Sequence, residues 1–169
     1  ADYVPIDFGS SEPDCTFADL VAKSLNYVAA ALGSSHEMQA VKKTPGVNRV
    51  DAALGRPLSP DLLSSEIVQI GAPAGVSEAT LSMDVQKMGR TTGYTTGKIT
   101  QLDATVRIDY EGPSALFSGQ IIATPMSQGG DSGSAMLDMD KNVVGLIFAG
   151  SEAATIANPI DLVLSALNV

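Results

Sequence analysis

Apolar and polar positions change rhythm along the chain. Phe17, Leu20, Val21, Leu25, Val28 and Leu32 recur at helical spacing among many alanines. That spacing predicts one helix over 17–32, closed by Gly33 and capped by Asp14 or Thr16. From residue 85 onward the rhythm is that of short strands between turn residues. "VQKMGR", "TTGKITQLDATVRIDY", "ALFSGQIIATP", "GSAMLDMD", "VVGLIFAGS" and "ATIANPI" read as six antiparallel segments, with "DKN" as a hairpin turn. Six such segments predict a small closed barrel, and "IDLVLSALNV" a closing helix.

The rest is less regular. "DYVPIDF" reads as an extended piece ending in a polar turn, and "SSHEMQAVKKTPGVN" as a loop broken by Pro45-Gly46. "RVDAALGRP" is a short apolar strand. Pro and Gly punctuate residues 58–84 as a connector, with one strand-like island, "EIVQIG". The predicted organisation is therefore 1–57, a connector over 58–84, and a barrel with its helix over 85–169.

At 169 residues and 44% hydrophobic, the chain suffices for a sizeable core. Without tryptophan, that core falls to Ala, Val, Leu and Ile. The net charge of −9 argues against nucleic acid or an anionic membrane surface as a main partner. Cys15 is the single cysteine, so the fold depends on no intrachain disulfide, and nothing around it resembles a cysteine-enzyme motif. No apolar run approaches the roughly 20 residues that span a bilayer. Neither a metal-ligand cluster nor a cofactor fingerprint is present, so none is expected. The composition is that of a soluble globular protein. Opening on Ala1 without a basic start, the chain is expected to begin partway through a longer product.

The candidate chemistry lies in "SQGGDSGSAML", Ser127 to Leu137. A serine that attacks a carbonyl must stand on a tight turn whose backbone N–H groups converge beside its hydroxyl. Glycines permit that turn and let a substrate approach the main chain. The N–H groups of Gly130 and Ser132 are the expected donors to a developing oxyanion. The plain alternative is a glycine-rich hairpin loop without chemistry.

"GRTTG", "GGDSGS", "VGLIFAGS" and "ANPI", in that order, make residues 47–169 resemble the trypsin-like (chymotrypsin-fold) serine peptidases. The likeness is strongest to a bacterial branch related to the plant narrow-leaf type proteins. The resemblance implies a mainly β, chymotrypsin-like double β-barrel with a Ser-His-Asp triad between the barrels. On that reading Ser132 is the nucleophile and Gly130 and Ser132 form the oxyanion hole, with Asp131 bracing the loop. Asp51, 81 residues before Ser132, is the triad aspartate that orients the histidine. Phe148, Ala149, Gly150 and Ser151 correspond to the strand that pairs with an extended peptide substrate. "GRTTG" reads as a structural turn.

The base is the departure. The chain's single histidine, His36, stands in "GSSHEMQ", which matches no histidine motif of the family, and reads as an exposed loop residue. Lys87 and Lys98 are the lysines placed to substitute, but serine-lysine enzymes do not usually carry a Gly-Asp-Ser-Gly setting. The expectation is instead that the first barrel is incomplete, with 17–32 an inserted helix and 85–169 the second, six-stranded barrel. The histidine would then belong to an N-terminal fragment of the same precursor, separated by autolysis or processing and still docked. A second copy of the chain, as a homo-oligomer, is the other way to cover the open strand edges.

The function expected is a serine endopeptidase acting on peptide or protein substrates, with this chain alone inactive. The alternative is a noncatalytic protease-fold module for oligomerisation or peptide binding. The specificity pocket is expected near 126–129, 148–151 and 154–158. With no acid foreseen at its base, it favours a small or apolar side chain over arginine or lysine.

Overall fold

The structure, a computed structural model, describes residues 2–12, 16–34, 38, 42–44, 46–110 and 112–169. Its elements begin with β1 (Asp2–Tyr3), β2 (Ser10–Glu12), α1 (Thr16–Ala31), β3 (Lys42–Thr44), β4 (Val47–Asn48), β5 (Ala53–Leu54) and β6 (Gly75–Val76). They continue with β7 (Asp84–Gly89), β8 (Gly93–Asp109), β9 (Ser114–Ala123), β10 (Ala135–Asp138), β11 (Asn142–Gly150), β12 (Thr155–Pro159) and α2 (Ile160–Leu167). These fall into two compact units, 1–6 with 47–169, and 7–46.

In the larger unit, β7 pairs with β8, β8 with β9, β9 with β12, β12 with β11 and β11 with β10, all antiparallel. β10 returns to β7 and closes the ring. Closure removes the free edges that an open sheet would present. These are the six strands expected from the turn-bounded segments after residue 84. Their inward positions, including Val85, Ile99, Ile121, Met136, Val144 and Ile147, form the barrel core, and Met126 fills it from the loop after β9. β8 is the long, broken strand the sequence suggests. Its pairing with β9 shifts register between Ile99 and Val106, and Asp103 there adopts φ 52°. Such bulges coil a strand around a small barrel.

A second apolar cluster joins Val50 and Ala52 to Val163 of α2, with Val4 and Leu146 against it. α2 therefore pins the stretch that carries Asp51 onto the barrel. β1 pairs with β5, and β4 lies parallel to β9.

The "DKN" turn is built on Asp138. Its carboxylate accepts from the Ser77 hydroxyl, the Asn142 side-chain amide and the N–H groups of Asp140 and Asn142. Burial alone would raise this carboxyl; the four donors outweigh it and hold its pKa below the usual value. A carboxyl depressed in the folded state stabilises the fold above its unfolded pKa of about 3.9, and that contribution is lost as pH falls toward the folded value. Urea midpoints are therefore expected to drop below about pH 4, and Asp138→Asn to flatten that part of the profile.

Three expectations change. "EIVQIG" is a turn: Ile70 and Gly71 donate back to the Ile67 carbonyl, and Gln69 has φ 65°. Val68, two-thirds exposed, has no face to bury, so a strand there would gain little. The predicted loop after the helix contains β3, paired with β2 in the smaller unit. "RVDAALGRP" is no continuous strand; β4 and β5 flank a bend at 49–52. The helix runs Thr16–Ala31, one residue from the expected bounds. The proposed cap Asp14, together with Cys15 and His36, lies outside the described residues.

Candidate active site

The loop after β9 carries the candidate nucleophile. Gly130 and Gly133 adopt φ 97° and 87°, conformations that suit glycine. Between them Asp131 turns inward, 1% exposed, while Ser132 faces solvent. Asp131 N–H donates to the Gln128 carbonyl (3.0 Å), Ser134 N–H to the Asp131 carbonyl (3.0 Å) and Gly133 N–H to the Ile147 carbonyl (2.7 Å). The Gly130 and Ser132 N–H groups donate to no acceptor among the described residues. The Ser132 hydroxyl makes one weak bond, 3.3 Å, to the Phe148 carbonyl.

Asp131 fixes this turn. Its carboxylate accepts from Thr91 N–H (2.8 Å), Thr92 N–H (3.2 Å), the Thr92 hydroxyl (2.6 Å) and Gln128 N–H (3.0 Å). Burial alone would raise its pKa, but the Thr92 hydroxyl and the three N–H groups outweigh that and hold it well below the usual carboxylate range. Lys87, fully buried on β7, adds an ion pair at 3.2 Å and also donates to the Thr92 hydroxyl and the Gly93 carbonyl. "GRTTG" is thus a structural turn with a purpose, since it supplies the clamp for the candidate nucleophile loop. A Cβ on Gly89 would stand 2.6 Å from the Asp131 carboxyl carbon, so only glycine lets the two loops meet.

Gly130 is equally constrained. A Cβ there would run into the Arg90 guanidinium and the Thr91 hydroxyl. Gly130→Ala, with φ 97° to maintain as well, is expected to cost about 1–3 kcal/mol in urea unfolding. A change under half of that would show the turn to be more accommodating than its contacts imply.

Asp51 is tied to the barrel through Asn158, which is fully buried. Asp51 N–H donates to Asn158 Oδ1 (3.0 Å), and Asn158 Nδ2 donates to the Asp51 carbonyl (2.9 Å). A side-chain amide here pairs with the backbone as a neighbouring strand would. The Asp51 Oδ2 accepts from the Tyr110 hydroxyl at 2.7 Å, and Oδ1 accepts no bond from the described residues. Burial first, and then the Asp51 carboxylate, push the Tyr110 phenol far above its ordinary pKa, so it stays a donor. The Tyr110 ring packs on Phe117 (6.4 Å) and Phe117 on Phe148 (5.0 Å), whose carbonyl meets Ser132. One aromatic row thus links the neighbourhoods of Asp51 and Ser132.

Of the expected substrate strand, Phe148 forms a bulge in the β11–β12 pairing, and among the described residues no strand pairs along the other side of 148–150. Gly150 and Ser151 line a cleft of about 720 Å³ together with Met126, Ser127, Gln128 and Gly129. Phe148, Ala149 and residues 154–158 do not line it. Glu152, exposed in the loop after β11, lines it too. An exposed loop residue after the strand carries no apolar pattern, so the sequence did not mark it.

Neither lysine is poised as a base. Lys87 is committed to Asp131, and Lys98 pairs with Asp84 at 2.6 Å on the surface. The role of Lys87 had a signal: strand period places it on the same face as Val85, inside the barrel. Among the described residues there is no histidine, no group of residues fit to hold a metal and no helix long and apolar enough to cross a membrane.

No protein-family model and no curated protein sequence matches the chain. Solved structures do. Protease A of Thermobifida fusca is 28% identical at a TM-score of 0.50, over 57% of this chain and 52% of that one. The chymotrypsin of Cellulomonas bogoriensis is 28% identical at 0.50, over 57% and 53%. A Nocardiopsis protease, 22% identical at 0.50 over 57% and 52%, supports the fold alone. The chain spans about half the length of these structures. Together with the closed ring of β7–β12, they make this a mainly β protein of the chymotrypsin-like fold.

Proposed function

We propose that the chain carries the nucleophile half of a serine endopeptidase. The observation that carries this reading is the pair of N–H groups, on Gly130 and Ser132, that donate to no acceptor among the described residues, on the same braced turn as an exposed serine hydroxyl. Such donors are worth most when they are fixed before charge develops.

In the reaction, Ser132 Oγ attacks the scissile carbonyl carbon as its proton passes to a histidine imidazole. The Gly130 and Ser132 N–H groups receive the oxyanion. Collapse of the intermediate expels the amine with that proton and leaves an ester on Ser132, which water hydrolyses by the reverse transfers. Asp51 orients the imidazole through Oδ1, while Tyr110 and Asn158 hold Asp51 in place. A peptide adds along 148–150 by main-chain hydrogen bonds and drops a side chain into the cleft at Gly150 and Ser151. The base comes from a His-bearing N-terminal segment of the same precursor, docked on this chain. The likeness of the chain to proteases 28% identical in sequence supports this reading.

The experiment is hydrolysis of a casein substrate by the chain expressed with its upstream segment. Cleavage that disappears when the upstream histidine is replaced supports the reading. Undiminished cleavage without that histidine contradicts it.

A further inference from the structure

A surface helix normally turns its apolar stripe toward a core. α1 does the reverse. Its inward side is set by Ala22, which is buried, and by Asn26 one turn on. Asn26 Nδ2 donates to the Met38 carbonyl and Asn26 Oδ1 accepts from the Met38 N–H, both at 2.7 Å. Phe17, Leu20, Val21, Leu25, Val28 and, in the turn that follows, Leu32 lie on the other side and expose 41–82% of their surfaces. No charge interrupts this stripe. Asp19 and Lys23, the charged residues of the helix, stand off it and pair with each other at 2.8 Å. Ser24, in the middle of the stripe, donates its hydroxyl to the Leu20 carbonyl (2.8 Å), so it brings no unmet polar group to an apolar seam.

The stripe is also symmetric about the point between Ser24 and Leu25. Reversing the helix sets Phe17 against Leu32, Val21 against Val28 and Leu25 against Ser24, each large group opposite another apolar or small one. A surface that matches its own reverse is what a two-fold interface requires. We propose that α1 is a dimerisation element, pairing antiparallel with α1 of a second copy of the chain. The six exposed side chains offer on the order of 1,200 Å² across two copies, the lower end of a stable interface. Each helix is neutral overall, so the net charge of −9 is not concentrated at the seam. A membrane surface fits less well, because helices that lie on one carry Lys and Arg along the polar face, and the lysine of α1 is already paired with Asp19.

Sedimentation equilibrium of the chain tests this, with Val21→Glu and Val28→Lys variants alone and mixed. The parent chain is expected to dimerise, and each variant alone to dimerise on the order of 100-fold more weakly, because a charge then meets an apolar residue in the seam. Antiparallel pairing places position 21 of one copy opposite position 28 of the other. Mixing the two variants therefore brings Glu and Lys together and should return the affinity to within about tenfold of the parent. A variant that had merely misfolded could not be rescued in this way. A parent chain that is monomeric at about 100 µM, a dimer indifferent to either variant, or a mixture without rescue overturns the proposal. So does a dimer that disappears when the proposed upstream segment is joined to the chain, which would assign the stripe to that segment. The pairing uses no residue of the Ser132 loop, so none of these results bears on the endopeptidase reading.

Discussion

Asp131→Ala is expected to destabilise the barrel by about 3–5 kcal/mol, the cost of leaving one partner of a buried ion pair uncompensated. Lys87 and Asp131 side chains are both 0% exposed, so the ammonium left behind has no water to turn to. The same substitution orphans the N–H groups of Thr91, Thr92 and Gln128 and the Thr92 hydroxyl. Replacing both partners, Lys87→Met with Asp131→Ala, removes the unpaired charge and should recover part of the loss. Urea unfolding of the two single variants and the double variant measures this. A single-variant loss below about 1 kcal/mol would mean that the ion pair does not brace the loop.

Ser132→Ala should behave in the opposite way. Ser132 is exposed and its hydroxyl makes only a 3.3 Å bond to Phe148, so unfolding should hardly change. In the chain joined to the proposed upstream segment, however, turnover should fall on the order of a million-fold, as when a triad serine is removed. The contrast is diagnostic: Asp131→Ala loses stability and activity together, whereas Ser132→Ala loses activity alone. Hydrolysis that survives Ser132→Ala would place the nucleophile elsewhere.

The barrel was legible because its physics is local. Short apolar segments bounded by turn residues mark strands, and the six such segments after residue 84 are the six strands of the ring. Ring closure by β10 against β7 and β11 follows from six strands in so short a span. What escaped notice is what alternation does not encode. "KKT" forms β3 by pairing backbone with β2, with no apolar face to announce it. "EIVQIG" shows an apolar rhythm but lies in a tight turn, because nothing covers Val68. At the site, the positive φ of Gly130 and Gly133 on either side of the exposed Ser132 is the glycine-permitted turn read from "GGDSGS". Asp131 as the brace is legible in the motif and the inward face of Lys87 in the strand period, but which side chains meet at the site depends on residues distant in sequence. Lys87 meets Asp131 across 44 residues, and Asn158 meets Asp51 across 107. Tyr110 on Asp51 and Glu152 in the cleft belong to the same class.

The central claim is that Ser132 is a nucleophile awaiting its base. The most direct test is intact and peptide mass spectrometry after treatment with a fluorophosphonate, on the chain alone and on the chain with the proposed His-bearing upstream segment. The account predicts one adduct, on Ser132, formed rapidly only when the segment is present. No adduct with the segment docked, or an adduct on another serine, would contradict it.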